Sequence, residues 1–147
     1  SGLSFSNTND SGDEYNISGW TTSATLSQAQ ASEDYLSFSV QPIEGLAVAF
    51  ESVAFNVWRD GSDAPSDFAV MSSLGGFGTS DLPAGELTLL TTGEASRGEV
   101  VGLFDGMTTT QEVVEFRLYG WNAGSLAGNL HVDGVSLRAL FQTVFDV

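Results

Sequence analysis

Residues 114–137, VEFRLYGWNAGSLAGNLHVDGVSL, decide the fold. They open in strict alternation. Val114, Phe116 and Leu118 fall on one face of an extended chain, and Glu115, Arg117, Tyr119 and Trp121 fall on the other. A turn-rich gap, NAGSLAGN, follows, and then a second alternating run. In that run Leu130 and Val132 are out of phase with Val135 and Leu137, so a bulge is expected at Gly134, which lies between the pairs. Period-two patterning on both sides of a Gly, Ser and Asn cluster marks antiparallel strands with one buried face.

The same pattern extends outward in both directions. Strands are predicted over 35–41 (YLSFSVQ), 46–50 (LAVAF), 52–59 (SVAFNVWR), 68–73 (FAVMSS), 86–91 (ELTLLT), 112–119 (EVVEFRLY) and 129–137 (NLHVDGVSL), with weaker ones over 3–6 and 17–22. Leu46, Val48 and Phe50 share one parity while Val53, Phe55 and Val57 share the other, so a bulge or corner is expected near Glu51 and Ser52. Helix signals are poor throughout. The expectation is an all-β protein: an antiparallel β-sandwich, jelly-roll-like, forming a single domain over 1–147.

Composition bounds the function. At 147 residues and 41% apolar the chain can bury a core without staples. It holds no apolar run of the roughly 18 residues that a membrane helix needs, so no membrane insertion is expected. The opening residues, SGLSFSNTND, lack a basic segment followed by an apolar core, so no signal peptide is expected there. With no cysteine, disulfides, zinc–thiolate sites and thiol catalysis are excluded. The net charge is −15, lysine is absent, and the only cations are Arg59, Arg97, Arg117 and Arg138. Such a surface repels nucleic acid and anionic membranes and suits a soluble protein of a saline, calcium-bearing medium.

The order SGW, YLSFSVQP, VAFNVWRDG, SSLGGF, then VEFRLYGWNA…GNLHVDGVSL resembles the β-sandwich domains of bacterial extracellular proteins sorted to the cell surface through a carboxy-terminal signal. It is more distantly similar to jelly-roll carbohydrate-binding modules, which often open near a Gly-Trp and close with a strand of the hxhDxhxL type. The likeness covers roughly Trp20 to Leu137. The Pro-Glu-Pro sorting signal itself does not occur in the sequence. The resemblance implies an extracellular or cell-surface location.

Catalysis finds little support. His131 is the sole histidine, and Asp133 is its nearest acid in sequence. Alternate residues of a strand lie about 7 Å apart along it, too far for Asp133 to orient the ring of a Ser-His-Asp triad. No Gly-x-Ser-x-Gly elbow occurs, and the protein is expected not to be an enzyme. Structural calcium has more to recommend it. Asp10, Asp13 and Glu14 share one polar loop, and Asp60, Asp63 and Asp67 another. Asp and Gly are also ordinary turn formers, so both readings of these loops stand. The likeness to carbohydrate-binding modules implies that Asp133 joins Asp10 and Asp13 around a calcium ion.

Two further features bear on partners. Asn56 and Trp58, and likewise Arg117 and Tyr119, lie opposite the core-facing residues of their strands. Together they make a candidate platform for neutral polysaccharide, with flat rings for sugar faces and forked donors for hydroxyls. The competing reading is cross-strand packing on an outer face. The chain's last stretch, RALFQTVFDV (138–147), places Leu140, Phe141, Val144 and Phe145 where polar, frayed residues are usual. Such a tail is expected either to fold back on its own sandwich or to dock into another copy of the chain. Two functions therefore compete: a structural subunit assembling through its termini into a filament or surface layer, and a carbohydrate-binding module of a secreted enzyme.

Overall fold

The computed structural model describes residues 3–6, 15–78, 87–89, 91–94, 97–104 and 110–144. The strands are β1 (Ser4–Ser6), β2 (Tyr15–Ser18), β3 (Tyr35–Val40), β4 (Leu46–Arg59), β5 (Asp67–Ser72), β6 (Leu87–Thr88), β7 (Gly98–Leu103), β8 (Val114–Trp121) and β9 (Leu130–Thr143). One α-helix, α1 (Leu26–Ser32), precedes β3, and a 3-10 turn at Ser73–Gly75 follows β5.

The strands form a five-stranded sheet in the order β1-β2-β9-β4-β7 and a four-stranded sheet in the order β3-β8-β5-β6, with every pair antiparallel. From β2 onward the chain crosses between sheets at nearly every step, and the last strand returns beside the second. That nesting is the jelly roll that the alternation predicts. Between the sheets lie Trp20, Phe50, Phe55, Phe68, Phe116, Leu118 and Leu130, all essentially without solvent exposure. Trp20 satisfies its indole N–H on the Ile17 carbonyl at 2.9 Å. Gly120 makes room for it, since a Cβ there would come within 2.9 Å of the indole.

Both predicted phase changes are single-residue bulges in the β4·β9 ladder. The register steps from Phe50↔Ala139 to Ser52↔Arg138, leaving Glu51 as the extra residue. The Glu51 carbonyl accepts the N–H of Phe104. The register steps again from Asn56↔Gly134 to Val57↔Val132, and here the extra residue is Asp133, next to the glycine. The runs 46–50 and 52–59 are thus one bent strand.

Two differences from the sequence reading have physical reasons. The sequence does not announce strand β7, because Gly98 and Gly102 interrupt its apolar run. Gly102 faces inward, where a Cβ would meet Val70 of the opposite sheet at 3.0 Å. Helix α1 carries a compact signal, Thr25-x-x-Gln28, in which the Gln28 N–H donates to Thr25 Oγ1 and the Thr25 hydroxyl donates to Gln28 Oε1. The apolar stretch takes the first of its two expected courses: residues 138–143 fold back on the sandwich as the last part of β9, paired with β4 from Leu46 to Ser52. Phe145 lies outside the described residues.

Candidate functional site

Strand β8 holds Arg117 and Tyr119 on the outer face of the four-stranded sheet, and that face is not open. Helix α1 and the turn after β5 lie over it. Ala29, Ala69, Met71, Tyr119 and Trp121 form a second, smaller core there, with Leu26, Tyr35 and Phe77 packed against it. Tyr119 is only 2% exposed. The Arg117 guanidinium is held between two rings, 4.1 Å from the centre of Tyr35 and 3.7 Å from that of Phe77. Its Nε donates to Glu115 Oε1 at 2.8 Å and its Nη1 to Tyr119 Oη at 3.3 Å. Burial alone would lower the pKa of this guanidinium, but the hydrogen bonds to Glu115 and Tyr119 and their charges outweigh it and raise the pKa. Phe77 reaches its place through a left-handed backbone (φ 58°), and its carbonyl accepts from Gln30 of α1 at 2.7 Å.

Asn56 and Trp58 lie on the outer face of the other sheet, on the opposite side of the molecule. The four residues expected to share one sugar platform therefore do not meet. Alternation assigned each to an outer face, but β4 and β8 belong to different sheets. Trp58 stacks on its cross-strand neighbour His131, with ring centres 3.6 Å apart and planes 8° apart. His131 Nε2 lies 3.9 Å from Asp60 Oδ1. Beyond this ring pair the face becomes a shallow depression of about 400 Å³, floored by Ser52, Ala54 and Ser136 and flanked by Glu99 and Val101 on β7 and Arg138 on β9. Asn56 lies between Glu99 and Gly134 in the ladder.

Of the expected calcium ligands, Asp10 and Asp13 lie outside the described residues. Asp133 forms an ion pair with Arg97. A calcium ion at Asp133 would have to displace that guanidinium. Among the described residues no three acids or histidines gather as a metal cluster. The last acid of the second loop is held by hydrogen bonds. Asp67 accepts from Ser66 at 2.6 Å, Thr88 at 2.6 Å and Asn122 at 2.7 Å. Burial would raise the Asp67 pKa, but these hydrogen bonds and the charge of Arg59 outweigh it and hold it below the ordinary carboxylate value. Arg59 is itself buried, donating to the carbonyls of Ser62, Ala64 and Leu89.

The third region is an edge. Strand β2 pairs with β9 only through Leu130, His131 and Val132. From Gly134 to Thr143, β9 is hydrogen-bonded to β4 on one side and, among the described residues, to no strand on the other. Val135, Leu137, Ala139 and Phe141 point to the inner side, opposite Phe55, Val53, Phe50 and Val48. Yet Val135 is 46%, Leu137 38% and Phe141 68% exposed, because the four-stranded sheet ends at β3 and does not reach over them. Leu140 (60%) and Val144 (41%) are exposed as well. At the lower end of this flank a cleft of about 380 Å³ opens between the sheets, lined by Tyr15, Leu36, Phe38, Phe55, Val132 and Val135. Alternation could place these side chains on the inner side. It could not show that the partner sheet stops short of them.

Comparison with protein-family models, with curated proteins and with solved structures finds no match to this chain.

Proposed function

We propose that this protein is a non-enzymatic structural subunit that associates with copies of itself through the open flank formed by β9, as a component of an extracellular filament or surface layer. The observation that carries the reading is the edge of β9 that, among the described residues, pairs with no strand, with Val135, Leu137, Leu140 and Phe141 exposed beside it. An edge strand normally carries charge, proline or a bulge that discourages pairing, and an apolar one pairs with another chain. A chain of net charge −15 is otherwise built to repel its own copies, and this flank carries no acid from Gly134 to Phe145. Sedimentation velocity over a concentration series, with negative-stain microscopy of the native material, tests the reading. Concentration-dependent assembly supports it, and a monomer at every concentration overturns it.

A second reading rests on a different observation. The depression floored by Ser52, Ala54 and Ser136, with Glu99 and Arg138 around it, lies on the same sheet face as Asn56 and Trp58, and that face has the equipment of a neutral-polysaccharide site. A glycan screen with Trp58→Ala as the control tests that reading. It fails if the unsubstituted protein is retained on no glycan.

A further inference from the structure

We propose that two copies join β9 to β9, antiparallel about a two-fold axis at Ala139, so that the two five-stranded sheets run on as one. The inference rests on the self-association reading above and names the contact that performs it.

The occupant follows from sequence, register and charge. A two-fold axis perpendicular to the sheet keeps both inner faces on the same side, so inner-facing residues must oppose inner-facing residues. Centring the axis on Arg138 would place two guanidinium groups opposite each other, which is unfavourable. Centring it on Leu137 would place Phe141 opposite Asp133. Centring it on Ala139 opposes Leu137 with Phe141, Val135 with Thr143 and Arg138 with Leu140, and pairs Ala139 with itself. This register uses the whole free stretch and places no charge opposite another. It also carries the second copy's Phe141, diagonal to Val135, to the mouth of the cleft between the sheets. A two-fold contact closes on itself, so the pair is a building block, and a longer assembly needs a second contact elsewhere.

The test uses the whole chain and exploits its lack of cysteine. Ala139→Cys should give a disulfide-linked dimer under mild oxidation, because directly opposed residues of antiparallel strands lie within disulfide reach. Ser136→Cys, which opposes Gln142, should not. Leu140→Arg places cations opposite Arg138 twice per dimer and should weaken association by about tenfold or more, whereas Leu140→Glu should at least preserve it. Leu140 is exposed in the single copy, so both variants should fold, which circular dichroism checks. Association should also tighten with added salt, which screens the repulsion between copies. If the protein assembles but Ala139→Cys does not cross-link and Leu140→Arg and Leu140→Glu behave alike, this pairing is wrong and self-association proceeds elsewhere. If the protein is a monomer throughout, both the pairing and the reading it rests on fall.

Discussion

The two sheets carry similar sequence patterns on their outer faces and put them to opposite uses. Strand β8 turns Arg117, Tyr119 and Trp121 outward, and α1 and Phe77 cover them, making a second core with a cation between two rings. Strand β4 turns Ser52, Ala54, Asn56 and Trp58 outward, and the depression there is floored by small side chains. Aromatic residues on an outward face thus report that the face is used, not that it is wet. What decides is whether another part of the chain is available to lie over it.

The sharpest way to break this comparison is to truncate one ring on each face. Tyr119→Ala empties a fully covered site and should cost about 3–5 kcal/mol in urea unfolding, as large aromatic-to-alanine changes in cores do. A loss similar to that of an exposed residue would mean α1 is not docked in solution. Next in size is Arg117→Ala, which removes a cation from two rings and leaves Glu115 without its partner. It should cost roughly 2 kcal/mol. Arg117→Lys should recover only part of this, because an ammonium cannot lie flat between Tyr35 and Phe77. On the open face Trp58→Ala removes a stack on His131 and should cost about 1 kcal/mol, leaving the fold intact. A loss as large as that of Tyr119→Ala would show Trp58 to be core.

The smallest effect concerns the loop between the faces. The Asp67 pKa is lowered in the folded state, so its contribution to stability is present above the unfolded carboxylate value of about 3.9 and is lost as pH falls through the folded value. Acid unfolding below about pH 4 should therefore be shallower in Asp67→Asn than in the unsubstituted protein. An unchanged acid limb would mean that the Asp67 pKa is the same in the folded and the unfolded chain.

Much of this architecture was legible because strand alternation is a local property. Val114, Phe116 and Leu118 declare their face without reference to anything distant, and so do the phase flips at Glu51 and beside Gly134. What stayed hidden was non-local. Asn56 and Tyr119 share an outward parity, but only the sheet order shows them on opposite sides of the molecule. The role of Arg117 depends on Phe77, forty residues away in sequence (117 − 77). Gly98 and Gly102 masked β7 because their usefulness lies in what the opposite sheet presses against them. The 138–143 stretch read as a tail because its apolar residues are continuous with a strand whose inner side is left uncovered.

The β4·β9 ladder also sets an order of events in time. It pairs Leu46 with Thr143 and Arg59 with Leu130, joining the middle of the domain to its final strand. The five-stranded sheet cannot close until that strand has left the ribosome, because β9 alone joins β1 and β2 to β4 and β7. Contacts so far apart in sequence make folding slow. The five-stranded sheet is therefore completed only once synthesis has passed β9, after every strand of the four-stranded sheet has been made.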